Sequence, residues 1–404
     1  MDLKITKVSK ENKKTIPVFD SNLGFGRFFS DHMFIMEYID GKWTDPRIEP
    51  FHNLNLSPST MVFHYGQGIF EGLKAYKREE ELYLFRTKKN LERMNNSANR
   101  LVMPNFDVEQ VLDAIKKLVY IEHDWIPDTK GYALYLRPTM IATETCLGVR
   151  SSNRYMFFVI AGPVGPYYPK GFNPVDIYIS DKYVRAVRGG VGEAKAMGNY
   201  AASLLAQKEG QKYNCSQVLW LDGVERKYVE EVGAMNIFVS FKDELVTPML
   251  SGSILPGITR DSVLKITRDW GMKVTERLLP IDELIEGINS GKVLEVFGVG
   301  TAAVISPVGK FVYKEQSYTV ANGKTGALSQ KLFDYITSLQ IGLEKDTLGF
   351  VEKICTSDFD EEFLKLVTGN TKDGVKSNQK LQKSGVDQSI KKTECNNSSL
   401  RGLH

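Results

Sequence analysis

Residues 189–200 read GGVGEAKAMGNY, a glycine-rich turn with one lysine, Lys195, which leads into a helix-like run ending near Gly210. Glycines allow the backbone to take positive φ angles and to approach a ligand closely. A lysine placed just before the helix can bring its amine against a carbonyl group. Desolvation lowers the pKa of such an amine, and the neutral amine forms Schiff bases readily. The turn therefore indicates a candidate Schiff-base lysine.

Two other interpretations of this turn start from the same residues. A solvated lysine on a surface loop is the better explanation of the turn taken alone, because single short motifs often match by chance. A dinucleotide-binding fingerprint is weaker, since Gly190-Val191-Gly192 is not completed by a glycine or alanine three residues later. The choice depends on the rest of the chain.

The composition excludes several classes of function. The length of 404 residues allows two or three domains, and 42% hydrophobic with 25% charged residues is ordinary for a globular protein. A formal net charge of +3 gives no nucleic-acid-binding signature. Four cysteines and five histidines are scattered, without a CxxC pair or metal-ligand spacing. We therefore expect neither a disulfide framework nor a metal site.

The first residues carry no targeting signature. Residues 1–14 include Asp2 and Glu11, and they contain no arginine and no secretory apolar core. No apolar run in the chain approaches the roughly 20 residues that span a membrane. We therefore expect a cytoplasmic protein without a membrane or nucleic-acid partner.

The first part of the chain offers aromatic residues and a lone arginine. Residues 63–76, FHYGQGIFEGLKAY, set aromatics between glycines and are typical of a strand or turn lining a cavity, although an aromatic core segment is the simpler explanation. Thr87 resembles an N-cap, and the apolar positions after it follow one helical face until Pro104. Arg93 lies beside that face, where an exposed arginine is the default.

A strand predicted at 131–138 carries two polar side chains on one face. Because side chains alternate along a strand, Tyr135 and Arg137 point the same way and can receive a carboxylate. The continuously apolar residues 155–160 predict a buried central strand. Glycines and prolines interrupt every regular pattern within residues 162–171, and this predicts a connector between domains.

The second half is rich in strands and contains two candidate anion sites. Strands are predicted at 175–179, 217–221, 228–232 and 236–240, and helices at 200–210, 259–270 and 281–290. A Pro-Gly turn at 256–257 precedes a helix start, where free backbone N–H groups attract an anion. Residues 295–303, EVFGVGTAA, give a second glycine-rich approach with a hydroxyl. Together the two segments predict a phosphate site.

These pieces meet the needs of one cofactor, pyridoxal 5'-phosphate (PLP). It requires a lysine for an imine, an anion site for its phosphate, and a carboxylate that keeps its pyridine nitrogen protonated. The chain offers Lys195, the anion sites near Ile258 and Thr301, and Glu231. Tyr200, just after the lysine, can donate to the phenolic oxygen.

At this point the sequence resembles the branched-chain amino-acid aminotransferases, which are PLP enzymes of fold type IV. The resemblance covers residues from about 20 to 342 and keeps the order of the family's motifs. The matching stretches are FHNLNLSPSTMVFHYGQGIFEGLKAY (51–76), YLRPTMIATETCLGV (135–149), GGVGEAKAMGNYAAS (189–203), EVGAMNIFV (231–239), SILPGITRDS (253–262) and EVFGVGTA (295–302). As a set they are far more specific than any one glycine loop.

The resemblance implies a role for each matching residue. Lys195 carries the imine to the cofactor, Glu231 faces the pyridine nitrogen, and Tyr200 faces the phenolic oxygen. The phosphate ligands are implied to be Arg93, Thr301 and the backbone N–H groups of Ile258 and Thr259. The substrate site is implied to comprise Phe25, Tyr65, Phe70 and Tyr135 around the side chain, Arg137 for the distal carboxylate of glutamate, and the turns at Ala234 and Ala302 for the α-carboxylate.

The resemblance also implies an α/β (α+β) fold of two domains with the cofactor between them. The small N-terminal domain covers 1–165, the connector 166–175 and the larger cofactor-binding domain 176–342. Residues 343–404 depart from the family's short ending, and from about residue 368 they are expected to be disordered. In the family, the loop that holds Leu147 and Val149 reaches a neighbouring subunit's site, which implies a homodimer.

Two further departures concern the site itself. Ala234 stands where relatives often have threonine, and Ala303 and Ser306 stand where some animal relatives have a CxxC pair. A hydroxyl contact and thiol-based redox regulation are therefore not expected at these positions.

The expected reaction is transamination between L-leucine, L-isoleucine or L-valine and 2-oxoglutarate, with ping-pong kinetics. The alternatives within the fold type are a D-amino-acid aminotransferase and an aminodeoxychorismate lyase. A catalytically silent PLP-binding protein is a further alternative, which the presence of Lys195, Arg93 and Glu231 disfavours.

Overall fold

Strands dominate the computed structural model of the chain, which describes residues 2–167 and 172–368. The strands are β1 (Lys4–Ile5), β2 (His32–Ile39), β3 (Lys42–Pro50), β4 (Gly68–Phe70), β5 (Leu73–Arg78), β6 (Glu81–Phe85), β7 (Ala133–Ala142), β8 (Tyr155–Val164), β9 (Val175–Ile179), β10 (Gln217–Leu221), β11 (Val229–Val232), β12 (Met235–Phe241), β13 (Leu245–Pro248), β14 (Val274–Arg277), β15 (Val293–Gly300), β16 (Val304–Tyr313), β17 (Gln316–Thr319) and β18 (Val351–Ile354).

Along the sequence, most helices connect one strand to the next. They are α1 (Met61–Tyr65), α2 (Thr87–Arg100), α3 (Val108–Ile121), α4 (Met197–Ala201), α5 (Leu204–Gln211), α6 (Ile258–Asp269), α7 (Ile281–Asn289), α8 (Ala327–Gln340) and α9 (Glu361–Thr368). The described residues up to Lys353 form one compact unit, and a second unit begins at Ile354.

The first sheet is built around the apolar strand β8. Its order is β1-β3-β2-β8-β7-β5-β6-β18, with β4 added on β7. Strand β8 pairs antiparallel with both β2 and β7, so the continuous apolar run at its start lies between two neighbouring strands. The prediction of a central strand here is confirmed. Because β4 and β7 are paired, Phe70 lies opposite Thr139 and close to Arg137.

The second sheet nearly closes on itself. Its order is β11-β10-β9-β16-β15-β12-β13-β14, with β17 on β16. Strand β11 also pairs with β12, which closes six of the described strands into a ring. Glu231 and Asn236 are register partners at this closure, and the tight turn between the strands uses Gly233 at φ +60°. The closure therefore fixes the position of Glu231.

Alternation along β12 sends its side chains into two separate cores. Ile237 and Val239 join one apolar cluster, which includes residues of α7, whereas Phe238 joins a second cluster formed with α6 and α8. All three side chains are fully buried. Since burying an apolar side chain contributes about 1.5–3 kcal/mol, this packing holds the strands on which the candidate site is built.

The structure corrects the predicted start of α2. Thr87 is the first helical residue and not the N-cap, which is Arg86 with φ 53°. The reason lies in α6, because the Arg86 guanidinium pairs with Asp261 at 2.6 Å and donates to Ser262 Oγ at 2.9 Å. These long-range contacts hold Arg86 in a left-handed conformation that the local sequence does not predict.

Other elements differ from their predictions in number or length. The helix predicted at 200–210 is two helices, α4 and α5, and β7 and β8 each extend beyond the predicted strands. The segment 343–368 contains β18, which joins the first sheet beside β6, and helix α9. The expected disorder from about residue 368 falls, apart from the end of α9, outside the described residues.

Candidate active site

Lys195 is held by backbone contacts between two elements of the first half. Its N–H donates to Ser97 Oγ of α2 at 2.9 Å, and its carbonyl accepts from the N–H of Phe70 in β4 at 3.2 Å. The half-buried side chain donates from Nζ to the hydroxyl of Tyr200 at 2.9 Å. The amine is thus fixed in position and faces a cavity.

That cavity has a volume of about 300 Å³. It brings together most of the residues that the sequence predicts for the site: Phe25, Phe70, Arg93, Tyr135, Arg137, Lys195, Tyr200, Glu231, Ala234, Ile258, Thr259, Thr301 and Ala302. They come from strands of both sheets, from α2, α4 and the start of α6, and from connecting segments. A volume of this size suits a small-molecule ligand.

Glu231 lies deep in the cavity wall and is 2% exposed. Burial raises its pKa to about 7, against the opposing effect of the Arg185 guanidinium. Arg185 Nη2 lies 2.5 Å from Glu231 Oε2, an oxygen that makes no hydrogen bond within the described part of the chain. Glu231 Oε2 is therefore available to accept a hydrogen bond from a cationic N–H group of a ligand in the cavity.

Asn236 orients this carboxylate. Its Nδ2 donates to Glu231 Oε1 at 3.1 Å and to the carbonyl of Leu255 at 2.9 Å. A Cβ on Gly257 would stand 1.9 Å from Asn236 Oδ1, so this position admits only glycine without movement. The turn before α6 and the closure of the second sheet are therefore packed directly on each other.

Arg93 is buried and paired, which the sequence did not predict. Its Nε and Nη2 donate to the two oxygens of Glu71 at 2.8 and 2.9 Å, and its Nη1 donates to the carbonyl of Pro256 at 3.1 Å. Glu71 is fully buried, and Arg93 keeps the pKa of this carboxyl below its usual range despite burial. The pair holds the guanidinium beside the turn that precedes α6.

The start of α6 offers an anion site beside Arg93. Helix α6 begins at Ile258, and its N-cap, Gly257, has no side chain to satisfy the first N–H groups. Thr259 is buried in the first turn, and Thr301 lines the same cavity from the end of β15. Free N–H groups at the positive end of a helix, beside an arginine, favour a phosphate.

Aromatic side chains form another part of the cavity wall. The rings of Phe25 and Tyr135 pack edge to face with centroids 4.8 Å apart. Arg137 donates to the Tyr135 hydroxyl at 3.1 Å and stacks over Phe70, 4.6 Å from the ring centroid. Its buried Nε has no partner among the described residues. An apolar wall with one available arginine donor can accept an apolar side chain or a carboxylate.

Three predicted residues lie away from the cavity. Tyr65, on α1, does not line it and is 38% exposed. Leu147 and Val149 are 67% and 87% exposed. The single chain therefore does not place Tyr65 in the substrate pocket for which it was predicted. The role predicted for Leu147 and Val149 involves a neighbouring subunit, which a single chain does not show.

Sequence reasoning missed Glu71, Arg185 and Asn236. Glu71 could have been noticed as a charged residue within an apolar, glycine-rich segment, because a buried charge needs a partner. Asn236 lies within a quoted motif, directly after the turn. No local signal marks Arg185, whose contact with Glu231 joins residues far apart in the sequence.

The residues present fit PLP. An amine, a buried carboxylate with an open oxygen, a tyrosine hydroxyl and an uncapped helix start beside an arginine surround one cavity. Among residues 2–167 and 172–368, no group of three or more His, Cys, Asp or Glu side chains is placed to hold a metal ion. Within the same residues, no helix has both the length and the apolar character needed to cross a bilayer.

The profile of the amino-transferase class IV family matches residues 68–311. The chain belongs to the class IV aminotransferases. It is 51% identical to branched-chain-amino-acid aminotransferase 2 of Bacillus subtilis over 336 residues, which are 83% of this chain and 93% of that protein. It is 49% identical to branched-chain-amino-acid transaminase 1 of the same organism over 337 residues, or 83% and 95% of the two chains.

Solved structures show the same fold for this class IV aminotransferase. The crystal structure of the Escherichia coli branched-chain amino acid aminotransferase matches with a TM-score of 0.68 at 24% identity, covering 80% of this chain and 99% of that one. The T.th. branched-chain amino acid aminotransferase with pyridoxamine 5'-phosphate matches with a TM-score of 0.65 at 26% identity, covering 79% and 98%. The predicted fold type IV is thereby confirmed, and aminotransferases of this fold use PLP.

Proposed function

We propose that this chain transfers the amino group between L-leucine, L-isoleucine or L-valine and 2-oxoglutarate, with PLP as its cofactor. The observation that carries the proposal is one cavity in which the Lys195 amine and the Glu231 carboxylate meet an aromatic wall bearing Arg137. Two Bacillus subtilis relatives that are about half identical carry branched-chain aminotransferase names, which supports the choice of substrate.

The cofactor's parts match separate residues of the cavity. Arg93, Thr301 and the first N–H groups of α6, at Ile258 and Thr259, would hold the phosphate. Glu231 would accept from the pyridine N–H, and the Tyr200 hydroxyl would donate to the phenolic oxygen. When bound, PLP supplies an aldehyde carbon for the amino group and a ring that takes up electrons from the substrate's α-carbon.

The protein's own groups move and hold the protons. Lys195 Nζ, when not bonded to the cofactor, would take the proton from the substrate's α-carbon and pass it to the cofactor carbon that carries the amino group. The Tyr200 hydroxyl, 2.9 Å from Nζ, keeps the amine in place between these two steps. Glu231 keeps the ring nitrogen protonated because Arg185 and Asn236 fix its oxygens. A base positioned in this way contributes about 10²–10⁴-fold to a rate.

The walls account for the two classes of substrate. The backbone turns at Ala234 and Ala302 receive the α-carboxylate of either substrate. Phe25, Phe70 and Tyr135 favour an apolar side chain by burying its surface. Arg137 donates to the distal carboxylate of 2-oxoglutarate or glutamate, and its unpartnered Nε is the group available for this.

The test is a direct assay of purified protein loaded with PLP. With 2-oxoglutarate as acceptor, L-leucine should yield glutamate faster than L-alanine or L-aspartate at equal concentration. D-leucine and aminodeoxychorismate, the substrates of the two alternative enzymes, should give no product. Preference for a D-amino acid, or for L-alanine over L-leucine, would reject the proposal.

We also propose a cytoplasmic homodimer with two domains per chain. Leu147 and Val149 are exposed, and so is Phe63, whose segment is joined to that loop by the bridge between Thr60 and Thr145. Exposed apolar residues gathered on one side support a subunit interface there. The free thiols of Cys146 and Cys215 are consistent with a reducing compartment.

The two sheets support the proposed domain division. The first is built almost wholly from strands before residue 166, and the second from strands between Val175 and Thr319. The connector 166–175 lies between them in sequence, and residues 168–171 fall outside the described part.

A further inference from the structure

A second cavity of about 300 Å³ adjoins the candidate active site. The two cavities share the lining residues Tyr167, Ala302 and Ala303, so they are direct neighbours. The rest of the second cavity is lined by residues for which the proposed reaction has no use. We call it the Lys74 pocket, after the amine that lines it together with Tyr76, Tyr132, Ser306 and Phe333.

Lys74 places its amine in this pocket. The residue is 8% exposed, and within the described part of the chain Nζ makes one hydrogen bond, to the carbonyl of Ala302 at 2.8 Å. No carboxylate of the described residues pairs with it within 4.0 Å. Burial lowers its pKa to about 8, so at neutral pH most molecules still carry the charge. A buried cation with unused donors favours an anionic ligand.

Ser306 adds an unused hydroxyl. It is 2% exposed, and Oγ has no hydrogen-bond partner among the described residues. Buried polar groups in folded proteins are nearly always hydrogen-bonded, and an exception calls for an explanation such as a ligand. Lys74 and Ser306 line the same cavity.

Most of the remaining lining is apolar or aromatic, together with Asn173, Thr337 and Gln340. Tyr76, Tyr132, Phe172, Phe333 and Ile341 surround the pocket, and the Phe172 and Phe333 rings are stacked with centroids 4.0 Å apart. Such walls bind an apolar body by removing its surface from water. The exposed Lys130, which also lines the cavity, adds positive charge. The whole surface fits an amphipathic anion better than a neutral or cationic molecule.

We propose that the Lys74 pocket is a second ligand site, which binds a small carboxylic acid with an aromatic or branched apolar body. The carboxylate lies on Lys74 Nζ and Ser306 Oγ, and the body packs on the aromatic walls. Because Lys74 also donates to Ala302, whose turn borders the active site, a bound acid draws the amine away from that turn. Occupancy of the pocket therefore raises the KM for the amino-acid substrate.

The binding test uses PLP-loaded protein and 3-(4-bromophenyl)propionate in equilibrium dialysis. We expect binding that a saturating concentration of 2-oxoglutarate does not abolish. Ser306→Leu fills the pocket and should eliminate this binding. Lys130→Glu reverses an exposed charge and should weaken binding by several-fold. Lys212→Glu is the matched control, an exposed lysine away from the pocket, and should bind as the wild type does.

The bromine locates the ligand. Crystals of the PLP-loaded protein grown with the same acid should give an anomalous peak inside the Lys74 pocket. A peak only beside Lys195 and Arg137, or binding that Ser306→Leu and Lys130→Glu both leave unchanged, would overturn the proposal. If Ser306→Leu does not fold, the proposal is tested by comparing the binding of the acid to Lys130→Glu with its binding to Lys212→Glu.

This outcome is separate from that of the proposed reaction. Binding and the anomalous peak require no turnover, so a protein inactive toward L-leucine that still binds the acid would reject the reaction and support the pocket. In an active protein, the acid should raise the KM for L-leucine in the wild type and leave it unchanged in Ser306→Leu.

Discussion

At Glu231, burial and the Arg185 guanidinium act on the same carboxylate in opposite directions. Burial dominates and raises the pKa to about 7, while Arg185 favours the ionised form. A ligand that presents a protonated ring nitrogen adds a second cation on the same side as Arg185. We therefore infer that cofactor binding completes the charge balance that Arg185 begins, and that it offsets part of the cost of burying a carboxylate.

This balance predicts how the stability of the cofactor-free protein depends on pH. Because the folded pKa of Glu231 is raised, the folded state binds more protons than the unfolded state between about pH 4.5 and pH 7. The contribution of this group to the free energy of unfolding is therefore fully present below about pH 4.5. It falls by up to about 3 kcal/mol as the pH rises through about 7. Glu231→Gln should lack this loss.

The measurement is urea unfolding of cofactor-free wild type and Glu231→Gln at pH 5 and pH 7. The variant should gain stability relative to the wild type at the higher pH. Glu225→Gln, at an exposed glutamate, serves as the control and should follow the wild type at both pH values. An equal difference between wild type and Glu231→Gln at both pH values would contradict the raised pKa.

Lys195 is the second residue that decides the chemistry. Lys195→Ala removes the amine that binds the cofactor and moves the proton, so turnover with L-leucine should fall by more than about 10²-fold. The absorbance band of the linked cofactor should be lost as well. Lys208→Ala, on the neighbouring helix α5, should keep both. Multiple turnovers by Lys195→Ala at the wild-type rate would show that another group is the base.

At the scale of elements, local patterns predicted most strands and helices, because each has a clear apolar face. The apolar run of β8, the alternation of Tyr135 and Arg137 on β7, and the Pro-Gly turn before α6 are all visible in the sequence. Arg86 was not predictable as the N-cap of α2, since its conformation depends on Asp261 and Ser262 of α6. Local sequence patterns therefore mispredict the boundary of an element when contacts with residues distant in the sequence fix it.

The turn before α6 provides a test at this scale. Gly257→Ala places a Cβ 1.9 Å from Asn236 Oδ1, so the Asn236 amide must move. Its Nδ2 then leaves the position from which it donates to Glu231 and to the Leu255 carbonyl. We expect the affinity for PLP to fall about tenfold or more, since a hydrogen bond to a charged group is lost. The dissociation constant can be measured by fluorescence titration.

The matched control for this substitution is Gly198→Ala. A Cβ at Gly198 meets nothing within 4 Å, and this glycine also lies beside the site, on α4. PLP affinity should therefore be nearly that of the wild type in Gly198→Ala. Equal affinities in both alanine variants would show that the contact between the turn and Asn236 does not matter for binding.

For the whole molecule, the sequence predicted which residues form the site but not how they are paired. Thirteen of the predicted site residues line one cavity, and all of them except Phe25 and Arg93 lie in the six matching stretches. The pair of Glu71 and Arg93 and the contact of Lys74 with Ala302 bring together separate elements, and no periodicity reports such contacts. Tyr65, predicted for the substrate pocket, does not line this cavity in the single chain. The roles of Leu147 and Val149 remain predictions, because they concern a second copy of the chain.

The second copy can be tested by substitution at the exposed loop. Leu147→Asp with Val149→Asp places two charges on side chains that are 67% and 87% exposed, so the fold of the single chain should tolerate them. If these residues are buried between subunits, the unpaired charges should dissociate the dimer, as sedimentation velocity would show. Val224→Asp, at a valine that is 81% exposed, should leave the dimer intact.

Mixing two inactive chains shows whether the loop completes a neighbouring site. The milder Leu147→Ala/Val149→Ala chain keeps Lys195, whereas the Lys195→Ala chain keeps the loop. In a mixed dimer, the only site with Lys195 receives the intact loop from its partner, so activity should reappear on mixing. If the loop served its own chain's site instead, each mixed dimer would combine a site without its lysine with a site without its loop, and no activity would return.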